Sequence, residues 1–143
     1  MTPLGVRKVL EIALQTLAPD TNATYQSAFD LTSDNPPALS MRGAVVHLEE
    51  LPETGLEHGV QVQAVTVTVE LRSRLDNPDA AEIAAEYVGR HLQTLMDGAV
   101  NLYSLRFVTP ELVPRDGEVP SFYTVSAVWD GRYIIDLSAP DDS

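Results

Sequence analysis

The sequence predicts an α+β fold, with a mixed, mainly antiparallel sheet, two helices packed on one of its faces, and a long β-hairpin. Three observations carry this. Apolar residues recur at helical spacing in only two stretches, between Thr2 and Pro19 and between Asn77 and Gly98. Runs of β-forming residues cluster at 43–50, 60–71, 100–108 and 121–129, in groups rather than alternating singly with helices. A chain of 143 residues, 44% hydrophobic and 21% charged, suits one domain, 1–143, that buries its own core.

Thr2 as N-cap and Pro3 at the first helical position open the first helix. Val6, Val9, Leu10, Ala13 and Leu17 then give it an apolar face up to Pro19. Residues 20–42, with DLTSDNPPALSM, read as a long loop, with a short strand possible near Thr24 to Leu31. GAVVHLEE, 43–50, reads as a strand, and PETGLEHG, 52–59, as the turn of a hairpin whose second arm starts at Val60. Asn77 caps the second helix, with Pro78 in its first turn and Asp79 set against the helix dipole. Its apolar stripe reads Ala80, Ala84, Tyr87, Val88, His91, Leu92 and Leu95. Two strand regions follow, VNLYSLRFV and SFYTVSAVW. Asp130-Gly131 then either turns a hairpin into RYIIDL or marks a bulge in one continuing strand. A frayed tail is expected at 138–143.

The stretch VQVQAVTVTVEL, 60–71, alternates apolar and polar residues but slips phase between Ala64 and Val65. Twelve residues at about 3.3 Å each span about 40 Å, against a globule about 37 Å across, so this strand crosses the whole domain or projects beyond it. A bulge at the slip would keep Val60, Val62 and Ala64 on the face of Val65, Val67, Val69 and Leu71. A sheet end with no strong facing explains it equally well. With a bulge, Gln61, Gln63, Thr66 and Thr68 form the other face, uncharged in an acidic protein. The ten residues Val60 to Val69 carry no charge and no proline and invite strand pairing if left bare, so a cover is expected, from a neighbouring subunit rather than from the chain's own loops.

The net charge of -12 argues against a protein that binds nucleic acid by neutralising phosphates. Seven acids stand against Arg42 alone between residues 20 and 59, in segments that read as loops and turn. Eight of the nine basic residues are Arg, a residue enriched at protein interfaces. With no cysteine, disulfides, thiolate metal sites and Cys nucleophiles are excluded. Arg7, Lys8 and Glu11 interrupt the first helix, so a secretion signal or membrane span is not expected, and cytoplasmic synthesis is.

No catalytic motif emerges. His47-Leu48-Glu49 matches part of a zinc deaminase signature that cannot be completed without cysteine. His47, His58 and His91 fall on a strand, a turn and a helix, and His91 on the apolar stripe reads as a core or boundary residue. Glu49, Glu50, Glu53 and Glu57 read as a solvated hairpin tip rather than a calcium loop. Trp129 and Tyr133 read as packing residues. Neither metal nor cofactor is expected.

Element order then points to a family. A helix precedes VTVTVELRSRLDNPDAAEIAAEYVGRHLQTLMDG, in which a valine-rich strand ends in Arg72 and Arg74 and turns into an amphipathic helix. YSLRFVTPELVPRDGEVPSFYTVSAVWDGRY follows, with an acidic loop and an aromatic pair opening the last strand region. This layout resembles the tail terminator proteins of long-tailed bacteriophages, over nearly the whole chain, in element order and texture. The resemblance implies a virion protein of the tail and neck, forming a hexameric ring on the tail tube protein. The head-completion or connector protein docks on that ring, and DNA passes through without specific binding.

On this reading Gln61, Gln63, Thr66, Thr68, Arg72 and Arg74 are expected at subunit interfaces. Asp30, Asp34, Glu53 and Glu57 are expected to line or rim the channel, where like charge keeps DNA mobile; the same acidity also serves solubility. A head-tail adaptor or tail completion protein is the nearest alternative. From another class, a small α+β ligand-binding domain or enzyme would use a site near Asp30, Asp34 or His47.

Overall fold

A computed structural model describes residues 3–27, 37–48, 60–96, 98–109 and 122–136 of the 143. Helix α1 (Pro3–Leu17) leads through a 3₁₀ turn (Pro19–Thr21) into β1 (Thr24–Tyr25). Strands β2 (Leu39–His47) and β3 (Val60–Arg74) form the long hairpin, α2 (Pro78–Met96) follows, and β4 (Asn101–Val108) and β5 (Phe122–Asp136) complete the sheet. The order across the sheet is β1-β2-β3-β5-β4. β1 runs parallel to β2, and every other pair is antiparallel.

Cross-strand register assigns the faces, since residues directly opposite one another share a side. Met41, Val45, Val65, Val67, Val69, Leu71, Val125, Ala127 and Trp129 point to the helices, and all but half-buried Val45 are buried. From α1 they meet Val6, Leu10, Ala13, Leu14 and Leu17, and from α2 Ala81, Ala84, Ala85, Val88, Leu92 and Met96. Gly43 is what lets α1 approach: a Cβ there would stand 2.5 Å from Leu14 Cδ1. Ala81, Ala84 and Ala85 put small side chains on the inner face of α2, where it packs against β3 and β5.

Several expectations change. No bulge interrupts β3, which pairs with β5 in unbroken register from Val60 opposite Asp136 to Arg74 opposite Phe122. At about 3.3 Å per residue these fifteen-residue strands are each about 50 Å long. The irregularity lies in β4, where Tyr103 faces Asp130 and Arg106 faces Val128, with Ser104 at φ 55. Asp130-Gly131 neither turns nor bulges β5. Strand β2 starts at Leu39, four residues earlier than the sequence pattern suggested, so the stretch 20–42 holds the 3₁₀ turn, β1 and the start of β2. His91 is exposed and lies against Tyr87, ring centroids 4.3 Å apart, because the buried face of α2 is centred nearer Ala81 and Ala85 than the apolar stripe implied. The expected tail at 138–143 lies outside the described residues.

Candidate assembly surface

The second face of the sheet carries the even-numbered residues of β2, β3 and β5, and no described element packs over it. At its centre are Ala44, Thr66, Thr68, Ser126 and Val128, uncharged and half-buried. Toward one end Val46 is 55% exposed, Leu48 46% and Ile134 58%, with Ala64 buried among them. Val108 on the edge strand is 46% exposed.

Arginines frame this centre. Arg72 and Arg74 close β3, Arg42 lies opposite Glu70, and Arg106 and Arg132 sit toward the β4 edge. The Arg72 guanidinium lies 3.9 Å from the Phe122 ring centroid, a cation–π contact that holds a long side chain flat on the sheet. Burial pushes the Arg72 pKa down, and Glu70 on the same strand face pushes it back up. Arg106 pairs with Asp130 at 3.6 Å, and Arg132 Nε donates to the Tyr103 hydroxyl at 3.1 Å. Five arginines thus share this face with two described carboxylate side chains, Glu70 and Asp130, in a chain whose net charge is -12.

Thr66, Thr68, Arg72 and Arg74 are brought together on this face. Gln63 is not: without a bulge it pairs with Tyr133 on the helix side, where its Nε2 donates to the carbonyls of Leu48 and Ala64 at 2.8 and 3.0 Å. Gln61 pairs by backbone with Ile135, and its side chain lies outside the described residues. Asp30, Asp34, Glu53 and Glu57 also lie outside them. Val46, Leu48, Val128, Ile134, Arg42, Arg106 and Arg132 join this face without a mark in the sequence. The signal for them is the pairing of β3 with β5, which strand alternation alone does not reveal.

On the helix side, His47 Nε2 and the Tyr133 hydroxyl share a hydrogen bond of 2.8 Å across the end of β3, and burial raises the Tyr133 pKa. An open cavity of about 620 Å³ lies beyond the start of β4, lined by Val62, Gly98 to Asn101 and Arg132 to Ile134. No group of three His, Asp or Glu side chains among the described residues is placed to hold a metal. No described helix is long and apolar enough to cross a membrane. No protein-family model matches the sequence, and no curated protein matches it either.

Proposed function

We propose that this chain is a structural, ring-forming protein of the tail terminator type. It closes the head-proximal end of a phage tail tube and presents the surface to which the head connector docks. The observation that supports this most is the second face of the sheet. It is uncharged at the centre, bears exposed Val46, Val108 and Ile134, and has no described cover. A sheet with two fifteen-residue strands and exposed apolar side chains on a face that no described element covers favours a partner, because the removal of those side chains from water is free energy gained on assembly.

On this reading six copies close into a ring in the host cytoplasm and remain in the virion neck. The tail tube protein lies on one side and the head-completion or connector protein on the other, and DNA passes through unheld. A head-tail adaptor or tail completion protein would use the same kind of surface and differ in its partner. The cavity beside Tyr133 favours a second reading, a small ligand-binding domain, since clefts of this volume accept small molecules.

Immunogold labelling of virions made by the genome that carries this gene tests the proposal. Label at the head–tail junction is expected. Label along the whole tail, or virions that carry none, would overturn it.

A further inference from the structure

The two outer layers of the molecule complement each other. α2 presents Asp79, Ile83, Glu86 and Arg90 along one solvent-exposed stripe, at spacings of three and four residues, with exposed Glu82 on its flank toward β5. Ile83 is 65% exposed, and the three carboxylates surround it. Glu82 is held in place by the Tyr123 hydroxyl, which donates to its Oε1 at 2.8 Å. The open sheet face has the opposite pattern, with Thr66, Thr68, Ser126 and Val128 at the centre and exposed Arg74, Arg106 and Arg132 around them.

We infer that α2 of one copy docks across the open sheet face of the next, Ile83 toward the uncharged centre and Asp79, Glu82 and Glu86 toward the framing arginines. The inference rests on the ring reading above and names the contact that builds the ring. Charge decides between arrangements. A face-to-face dimer would bring arginines against arginines, and a back-to-back dimer would bring the α2 carboxylates together, both repulsive. The remaining pairing joins unlike surfaces. Such a heterologous contact repeats from copy to copy and closes into a ring when its rotation allows.

The size also suits. Strands β2 and β4 are nine and eight residues long. Four strands about 4.8 Å apart at about 3.3 Å per residue give a planar face of roughly 500 Å², wide enough to seat the 19-residue α2, about 28 Å long and about 10 Å across.

A complementary charge swap tests the contact. One protein carries Glu82→Arg with Glu86→Arg, making both of its surfaces basic. The other carries Arg74→Glu with Arg132→Glu, making both acidic. Each alone is expected to assemble about a hundredfold more weakly than wild type, and an equimolar mixture to recover wild-type assembly with alternating subunits. All four positions are exposed, and circular dichroism checks that each variant is folded.

Because the chain contains no cysteine, a second measurement is direct. A protein with Ile83→Cys is mixed with one carrying Thr68→Cys and treated with a short bis-maleimide. Cross-links joining the two different proteins are expected. Links only between identical proteins, or a wild-type ring that both swaps leave intact, would overturn the contact while the ring reading stands. A monomeric wild type would overturn both. Saturable binding of a short nucleic acid by wild type, lost in the variant with the acidic face, would assign the arginines to phosphate and overturn the contact.

Discussion

Val67 of β3 lies directly opposite Trp129 of β5, both on the helix side of the sheet, and Val67 is fully buried. Val45 completes the row from β2. Replacing Val67 by Asp would place a carboxylate among apolar side chains, at several kcal/mol against a total stability of about 5 to 15 kcal/mol. The Val67→Asp protein is expected not to fold. A soluble product with a cooperative thermal transition would show that the faces of β3 are assigned wrongly.

Thr66 and Thr68 lie on the opposite face of the same strand, half-buried within the sheet. Lysine at both positions can extend its charged end into water, so the monomer is expected to lose no more than about 1 kcal/mol. Assembly is expected to weaken at least about tenfold, since two long charged side chains displace an apolar neighbour from the uncharged centre and lose water on assembly. Light scattering and thermal unfolding of the double variant read the two effects separately. An unchanged oligomer would remove this face from the interface.

How much of this was legible in the sequence follows from what each residue packs against. The valines of β3 alternate because one side meets helices, and that pattern was readable. The phase slip at Ala64 was not, because beyond His47 and Asn101 the outer strands end and the ribbon of β3 and β5 continues without them. There Val62 and Ala64 join Ile134 on the open face, while Gln63 bonds backbone carbonyls on the other. Asp130-Gly131 has the composition of a turn, yet Gly131 serves close packing. A Cβ on it would stand 3.1 to 3.2 Å from Leu102, Val100 and Val65 side chains. The bulge at Ser104 left no trace, since serine carries no preference that marks a positive φ. The arginine frame draws on four strands, β2, β3, β4 and β5, so it is the register that reveals it.

Ser73 is fully buried near the end of β3, opposite Leu39 and Tyr123, and its hydroxyl has no hydrogen-bond partner among the described residues. A buried hydroxyl without a partner is destabilising relative to an apolar group of similar size. Ser73→Ala is therefore expected to raise stability by about 1 kcal/mol in urea unfolding. A loss of stability would mean that the hydroxyl is bonded after all.

Four tyrosines hold their hydroxyl protons more tightly than usual. The bond to Asp20 raises the pKa of Tyr87 and the bond to Glu82 that of Tyr123, while burial raises those of Tyr25 and Tyr133. A folded-state pKa raised above the unfolded value contributes stability that is complete below the unfolded pKa and lost as pH rises through the folded one. Stability is thus expected to hold up to the ordinary tyrosine value of 10.0 and to decline above it. Absorbance titration of tyrosinate should show most of the five tyrosines ionising above that value. Ionisation at the ordinary value in the folded protein would contradict these contacts.

On the proposed reading, copies of this chain assemble into a closed ring through unlike surfaces. Sedimentation velocity of the purified wild-type protein across the micromolar range, with negative-stain images of the same sample, tests it most directly. The expected result is a single species with the mass of six 15.6 kDa chains and images of rings with an open centre. A protein that sediments as a 15.6 kDa monomer throughout, or stops at a twofold dimer, would contradict it.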